Sequence, residues 1–290
     1  MIYRGMDQKA LDAQYDLRAA VPRFSEHAAS WVARSESACR EHPCRLDIAY
    51  GDGPAETLDL FPTAIPDAPL LVFFHGGFWR AQDKRDFLYP APAFLSRGIA
   101  FASVNYTLAP AASLDEIVAQ SRRAIAFLAR NAADLGVDPD RIFVSGHSAG
   151  GHLAAMLALT DWRELGLAGN PVRGGCAISG VYDLEPIRLC YLNATLGLDA
   201  SAAQRNSPLR LLETSRRPAP CLLFAVGGNE TAEFLRQQQE FTQAWQERGR
   251  RLAVIPQPGE DHFSIMDRFA EPAGTLFQAL ANEILGRANR

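Results

Sequence analysis

The strongest constraint on this chain is a series of short apolar runs that lack a polar face. They are Leu70–Phe74, Ile99–Val104, Ile142–Ser145, Cys176–Ser179 and Cys221–Val226. Such runs suit strands buried on both faces, which occur in parallel sheets covered by helices. Helical stretches lie between them, at about 84–96, 114–134, 149–159, 183–192 and 230–248. The second of these opens on Ser113 with Glu116 three residues on, a capping-box pattern. A last strand is expected at Leu252–Ile255 and a last helix at 273–287. This alternation predicts an α/β fold, with a mostly parallel central sheet and helices on both faces.

The N-terminal part has a different texture. Residues 7–20 and 24–40 read as a helical arm (1–42 in all) broken at Pro22, with Leu11, Tyr15, Leu17, Trp31 and Val32 at helix-face spacing. Arg45–Tyr50 and Thr57–Phe61 alternate apolar with polar residues around the turn signal Gly51-Asp52-Gly53-Pro54. They read as edge or antiparallel strands. Nothing like a repeat or a flexible linker divides the chain, so one domain over 1–290 is expected, without a large cap domain.

Two stretches carry chemistry. In Arg141–Gly150 a strand enters a helix through Gly146-His147-Ser148-Ala149-Gly150. A serine at a sharp strand-to-helix turn is strained, and small residues two before and two after let neighbouring backbone pass close. The following helix points its positive N-terminal end at the serine. By itself the five-residue pattern is common enough to arise by chance; its place between strand and helix marks Ser148 as a candidate nucleophile. Upstream, Phe74-His75-Gly76-Gly77-Phe78-Trp79 follows another strand. Adjacent glycines there can turn backbone N–H groups toward a developing oxyanion, and each such donor is worth about 3–4 kcal/mol. Gly76, Gly77 and the N–H of Ala149 are the expected oxyanion hole. His75 is expected to brace that loop.

A serine nucleophile needs a base, and the base an orienting carboxylate. Six histidines are present. His27 and His42 fall in the arm, and His147 and His152 flank the serine, where they are expected to be tied to its turn and helix. His262 remains, on a loop between the last strand and the last helix, and is the expected base. Glu230 follows the strand Cys221–Val226 through Gly227-Gly228-Asn229 and is the candidate acid. It could instead be a charge complementing a helix dipole, with Glu233 or Asp261 serving as the acid. Glu260 and Asp261 read as solvated loop charges.

His-Gly-Gly-Phe-Trp at 75–79, Gly-His-Ser-Ala-Gly-Gly-His at 146–152 and Asp-His-Phe-Ser at 261–264 together resemble the kynurenine formamidase-like branch of the α/β-hydrolases, which also contains carboxylesterases. The His-Gly-Gly loop is shared with the hormone-sensitive-lipase-like group, and Asn105–Pro110 resembles that group's strand-end segment. The resemblance runs from about residue 45 to the C-terminus. It implies an α/β-hydrolase fold, Ser148 as nucleophile, His262 as base and Gly76 and Gly77 as oxyanion glycines. The family's acid is usually aspartate; the matching position here is Glu230. Formamidases often carry Tyr before the Trp of the loop, where this chain has Phe78.

The segment 181–212 is expected to line the substrate pocket, with Ile187 and Tyr191 contributing. Phe78, Trp79, Tyr106, Phe263 and the N-terminal arm are further candidates for its wall. Apolar walls imply an apolar acyl or alcohol group. The expected activity is a serine carboxylesterase on small to medium esters, aryl ones included. An arylformamidase cleaving N-formyl-kynurenine is the alternative, and a catalytically inactive binding protein a more remote one.

The serine chemistry and the resemblance imply a small-molecule ester or formamide as partner, and bulk properties point to no other. A formal net charge of −4 gives no case for nucleic acid or an anionic membrane. No apolar run reaches membrane length, and residues 1–18 lack the apolar core of a signal peptide. Cys39, Cys44, Cys176, Cys190 and Cys221 are odd in number and irregular in spacing, which argues against a disulfide framework or zinc site and for a reducing cytoplasm. No metal or organic cofactor is expected.

Overall fold

The computed structural model describes residues 1–215 and 218–287. The domain expected over 1–290 therefore ends on three residues outside those described. Eight strands form one sheet: β1 (Arg45–Ala49), β2 (Thr57–Phe61), β3 (Ala68–Phe74), β4 (Ala100–Val104), β5 (Val137–His147), β6 (Val172–Ile178), β7 (Cys221–Ala225) and β8 (Leu252–Val254). Their order is β1-β2-β4-β3-β5-β6-β7-β8. β1 and β2 are antiparallel to their neighbours, and all pairs from β4 onward are parallel. Every residue of β3 and β4 is buried, as the apolar runs require when helices cover both faces. At the outer edge β1 is largely exposed.

The register decides where chemistry can gather. Phe74 lies opposite both Val104 and Gly146, Gly146 opposite Ala177, and Ile178 opposite Ala225. The carboxyl ends of β3, β5, β6 and β7 are therefore level, and the loops leaving them share one edge of the sheet. That edge is where ligands bind in open parallel sheets.

Helix boundaries differ from expectation where a local feature interrupts the period. The stretch 84–96 is a 3-10 turn, Lys84–Phe87, and a short helix, Ala91–Leu95. Pro90 lies between them and offers no N–H to a continuous helix. The stretch 114–134 divides at Asn131 into Leu114–Arg130 and Ala132–Leu135. Ser113 Oγ accepts from Glu116 N–H at 3.3 Å, but the Glu116 carboxylate turns to Arg123 at 2.6 Å, so only half of the capping box forms. The stretch 183–192 shortens to Glu185–Leu189 and is followed by three more short helices, Asn193–Leu196, Ala200–Arg205 and Pro208–Thr214.

In the arm, helices Gln8–Tyr15 and Leu17–Ala20 are each capped by an aspartate, Asp7 and Asp16. Helix Phe24–Glu41 follows the break. Leu11, Tyr15, Leu17 and Trp31 face the core, whereas Val32 is exposed. One residue on from Trp31, it is turned some 100° away around the helix. Buried hydrogen bonds dock the arm: Tyr15 Oη donates to Glu233 Oε2 at 3.0 Å and accepts from Gln237 Nε2 at 3.0 Å.

Candidate active site

β5 ends on His147, and helix Ala149–Ala158 begins one residue after Ser148. Ser148 takes up the turn with φ 57° and ψ −116°, a conformation an L-residue adopts only when its surroundings impose it. The imposition is visible at the flanking glycines. A Cβ on Gly150 would lie 1.8 Å from the Phe74 carbonyl oxygen, and one on Gly146 would lie 2.2 Å from that of Gly150. The turn packs directly onto the end of β3, and only glycine permits it.

The loop after β3 winds back on itself. Gly77, Phe78 and Trp79 all have positive φ, at 90°, 48° and 56°. His75 is fully buried beneath it, with ring nitrogens 3.0 Å from the Gly76 carbonyl oxygen and 3.1 Å from Asn105 Oδ1. Burial holds its pKa below the ordinary histidine value. Tyr106 stacks on that ring at 4.3 Å and donates its hydroxyl to the His75 carbonyl at 3.0 Å. Among the described residues, the backbone N–H groups of Gly76 and Gly77 donate to no other backbone group.

Glu230 and His262 meet although they come from different loops. Glu230 Oε2 lies 2.6 Å from His262 Nδ1, and both side chains are buried. The other carboxylate oxygen accepts from Gly227 N–H at 2.8 Å and from Ser179 Oγ at 2.5 Å. Asn229 N–H and Asn229 Nδ2 donate to the carbonyls of Glu260 and Gly259, fastening the two loops together. Gly227 makes that contact possible, since its Cβ would fall 2.4 Å from the Glu260 carbonyl oxygen. The other carboxylates are occupied elsewhere. Asp261 accepts from Phe263 and Ser264 N–H, both at 2.8 Å, and so shapes the turn that carries His262. Glu260 pairs with Arg268 at 3.2 Å, and Glu233 with Arg236 and Tyr15. None of the three is a free loop charge.

Ser148 and His262 open into one cavity of about 630 Å³. Gly77, Phe78, Tyr191 and Phe263 also line it, as expected from the sequence. Trp79, Tyr106 and Ile187 do not. All three are buried: Trp79 packs edge-on against His152, Tyr106 braces the loop from beneath, and Ile187 lies in the core. Gly76 and Ala149, both buried, are not among its lining residues. The arm supplies a further wall with Tyr15, Arg18 and Phe24, and Arg80 and Thr195 complete another side.

The sequence also missed Ser179 and Phe234, and it placed His147 at the serine turn without its partner. Ser179 sits at φ 49° at the end of β6 and holds Glu230; a serine closing an apolar strand run was the available signal. His147 Nε2 donates to the His262 carbonyl at 2.7 Å, tying the serine turn to the histidine loop. Burial, with His262 beside it, keeps His147 well below the ordinary pKa, so it is a neutral strut. Phe234 places its ring edge-on to His262 at 4.6 Å.

A family model described as BD-FAE matches residues 58–174. The chain is 30% identical to a kynurenine formamidase of Danio rerio, over 97% of this chain and 98% of that protein. The chain belongs to the kynurenine formamidase and esterase branch of the α/β-hydrolases. It is a hydrolase. A crystal structure of a candidate thioesterase from a Silicibacter species superposes with a TM-score of 0.81 at 30% identity, covering 93% of this chain and 98% of that one. Esterase LipQ of Mycobacterium tuberculosis is 37% identical over a shorter stretch, 48% of this chain and 35% of that protein. Among the described residues, no helix is long and apolar enough to cross a membrane.

Proposed function

We propose that the protein is a serine carboxylesterase acting on small to medium esters, aryl esters included, through an acyl-enzyme. The observation that carries the reading is the buried contact of Glu230 with His262, a residue that lines one cavity together with Ser148. With its Nδ1–H donated to the Glu230 carboxylate, the His262 imidazole keeps a lone pair on Nε2. Ser148 Oγ attacks the carbonyl carbon and passes its proton to that nitrogen. The oxyanion is received by the N–H groups of Gly76, Gly77 and Ala149. The tetrahedral species collapses, and His262 protonates the departing alcohol. Water then repeats the sequence, releases the acid and restores Ser148. Glu230 holds the ring in the working tautomer and offsets its transient positive charge. A fixed carboxylate makes the extra methylene of glutamate harmless, and the bonds from Ser179 and Gly227 supply that fixing.

A second reading, arylformamidase, is favoured by the near full-length similarity to a kynurenine formamidase. It needs only that the leaving group be an arylamine. A panel of 4-nitrophenyl esters run beside N-formyl-kynurenine separates the two. Esters turned over at higher kcat/KM support the first reading, and the reverse order replaces it with the second. Loss of labelling by a fluorophosphonate probe in the wild-type protein would remove both and leave a binding role.

A further inference from the structure

The walls of the cavity hold two cations that nothing in the reading above uses. Arg80 follows the glycine loop, and Arg18 belongs to the arm helix Leu17–Ala20. Neither makes an ion pair among the described residues. Arg4, Arg188 and Arg236, around the same arm and segment, are all paired with glutamates. Arg80 is nonetheless held in place. Its Nη1 donates to Thr195 Oγ1 at 3.2 Å, and its guanidinium lies 5.7 Å from the Tyr191 ring centre. That bond uses one of the five donors a guanidinium carries. Arg18 is set over the ring of Phe24 at 4.6 Å.

We propose that this cavity selects substrates that carry a carboxylate, bound by Arg80 with Arg18 as the second positive group. The proposal rests on the ester-hydrolase reading of Ser148. Asp16 is the carboxylate on the same wall, and its Oδ1 already accepts from Ala19 N–H as a helix cap. Two cations thus face one engaged anion. A neutral ester leaves that positive charge unanswered in a half-enclosed site, whereas a carboxylate matches the planar fork of a guanidinium with two parallel hydrogen bonds. The whole chain carries a net charge of −4, so its long-range field does not gather anions, and recognition falls to these two side chains. The same cavity is lined by three phenylalanines, Phe24, Phe78 and Phe263. The substrate class is therefore an ester with an apolar or aryl body and an anionic end.

The test compares charged and neutral partners of equal length. 4-Nitrophenyl hydrogen adipate is run beside 4-nitrophenyl hexanoate, and 4-acetoxybenzoate beside its methyl ester, so that the charge lies on the acyl or the alcohol side. For at least one pair, kcat/KM is expected to be about tenfold higher for the anion, mainly through KM, with the gap shrinking in high salt. In Arg80→Gln the charged-to-neutral ratio is expected to fall about tenfold, and Arg80→Lys, which keeps the charge but loses the fork, to retain part of it. Neutral esters turned over as well as or better than both anions overturn the carboxylate assignment alone, as does an unchanged ratio in Arg80→Gln. If no ester is turned over, the ester-hydrolase reading falls, and calorimetric titration of the Ser148→Ala protein with adipate decides the assignment. Binding that weakens about tenfold on adding Arg80→Gln upholds it, and no binding overturns it.

Discussion

The floor of the site and its walls are built differently. The floor is made where level strands end: Ser148 after β5, Ser179 after β6, the Gly227–Glu230 turn after β7 and the His262 loop after β8. Each position is set by backbone, through register, glycine contacts and carbonyl hydrogen bonds. The walls are made by side chains, from the arm, from Tyr191 and Thr195 in the segment after β6, and from Phe78, Arg80 and Phe263 in the loops after β3 and β8. The difference teaches where sequence patterns carry information. Backbone demands restrict residue type sharply, while a wall accepts any apolar residue that faces inward.

Substitutions can break this comparison, and the largest effect is expected at the proposed nucleophile. Ser148→Ala should lower kcat by on the order of a millionfold, with the thermal midpoint little changed, in steady-state and melting measurements. Gly150→Ala should cost more than about 4 kcal/mol or prevent folding, because its methyl group would lie 1.8 Å from the Phe74 carbonyl oxygen. Urea unfolding decides it, and a protein that folds normally would show that the turn can relax.

Neighbours in sequence separate floor from wall. Trp79→Ala should destabilise by about 3–5 kcal/mol, since that side chain is buried in the core. Phe78→Ala should leave the urea midpoint nearer the wild type and act on KM, since its ring faces the cavity. Similar stability losses at both would abolish the distinction.

Acid should attack the floor. His152 is fully buried, its Nε2 donates to the Asn206 carbonyl, and burial lowers its pKa to about 4 from an ordinary 6.5. The unfolded chain therefore takes the proton first. The stability this histidine contributes is complete above about pH 6.5 and is lost as pH falls toward 4, by about 3 kcal/mol for this group. His75 and His147, also held below the ordinary value, act with the same sign. Urea midpoints measured from pH 7 to 4 should fall, and a flat profile would remove the claim. The smallest effect is expected in the wall. Tyr191→Phe deletes the hydrogen bond to the Tyr15 carbonyl and should cost about 1 kcal/mol or less, since the site is half exposed.

Legibility followed the same division. Strand positions, the serine turn and the glycine loop could be read because sterics at strand ends demand particular residues in short stretches. Helix ends were read less well, since Pro90 and Asn131 act locally against a period measured over many residues. Among side chains the type was legible but its direction was not. Phe78 and Trp79 are adjacent and both aromatic, and only the winding of the loop puts one in the cavity and the other in the core.

The sequence by itself determined the order of strands and helices, the parallel sheet and the backbone of the serine turn, because those follow from short-range sterics and apolar patterning. The tertiary structure alone decided that Glu230, not Glu233 or Asp261, reaches His262, that Ser179 and His147 steady that pair, and that Arg18 and Arg80 face one cavity. These contacts join residues far apart along the chain. They depend on how the sheet aligns its loops and how the arm folds back over them, and no local pattern encodes that.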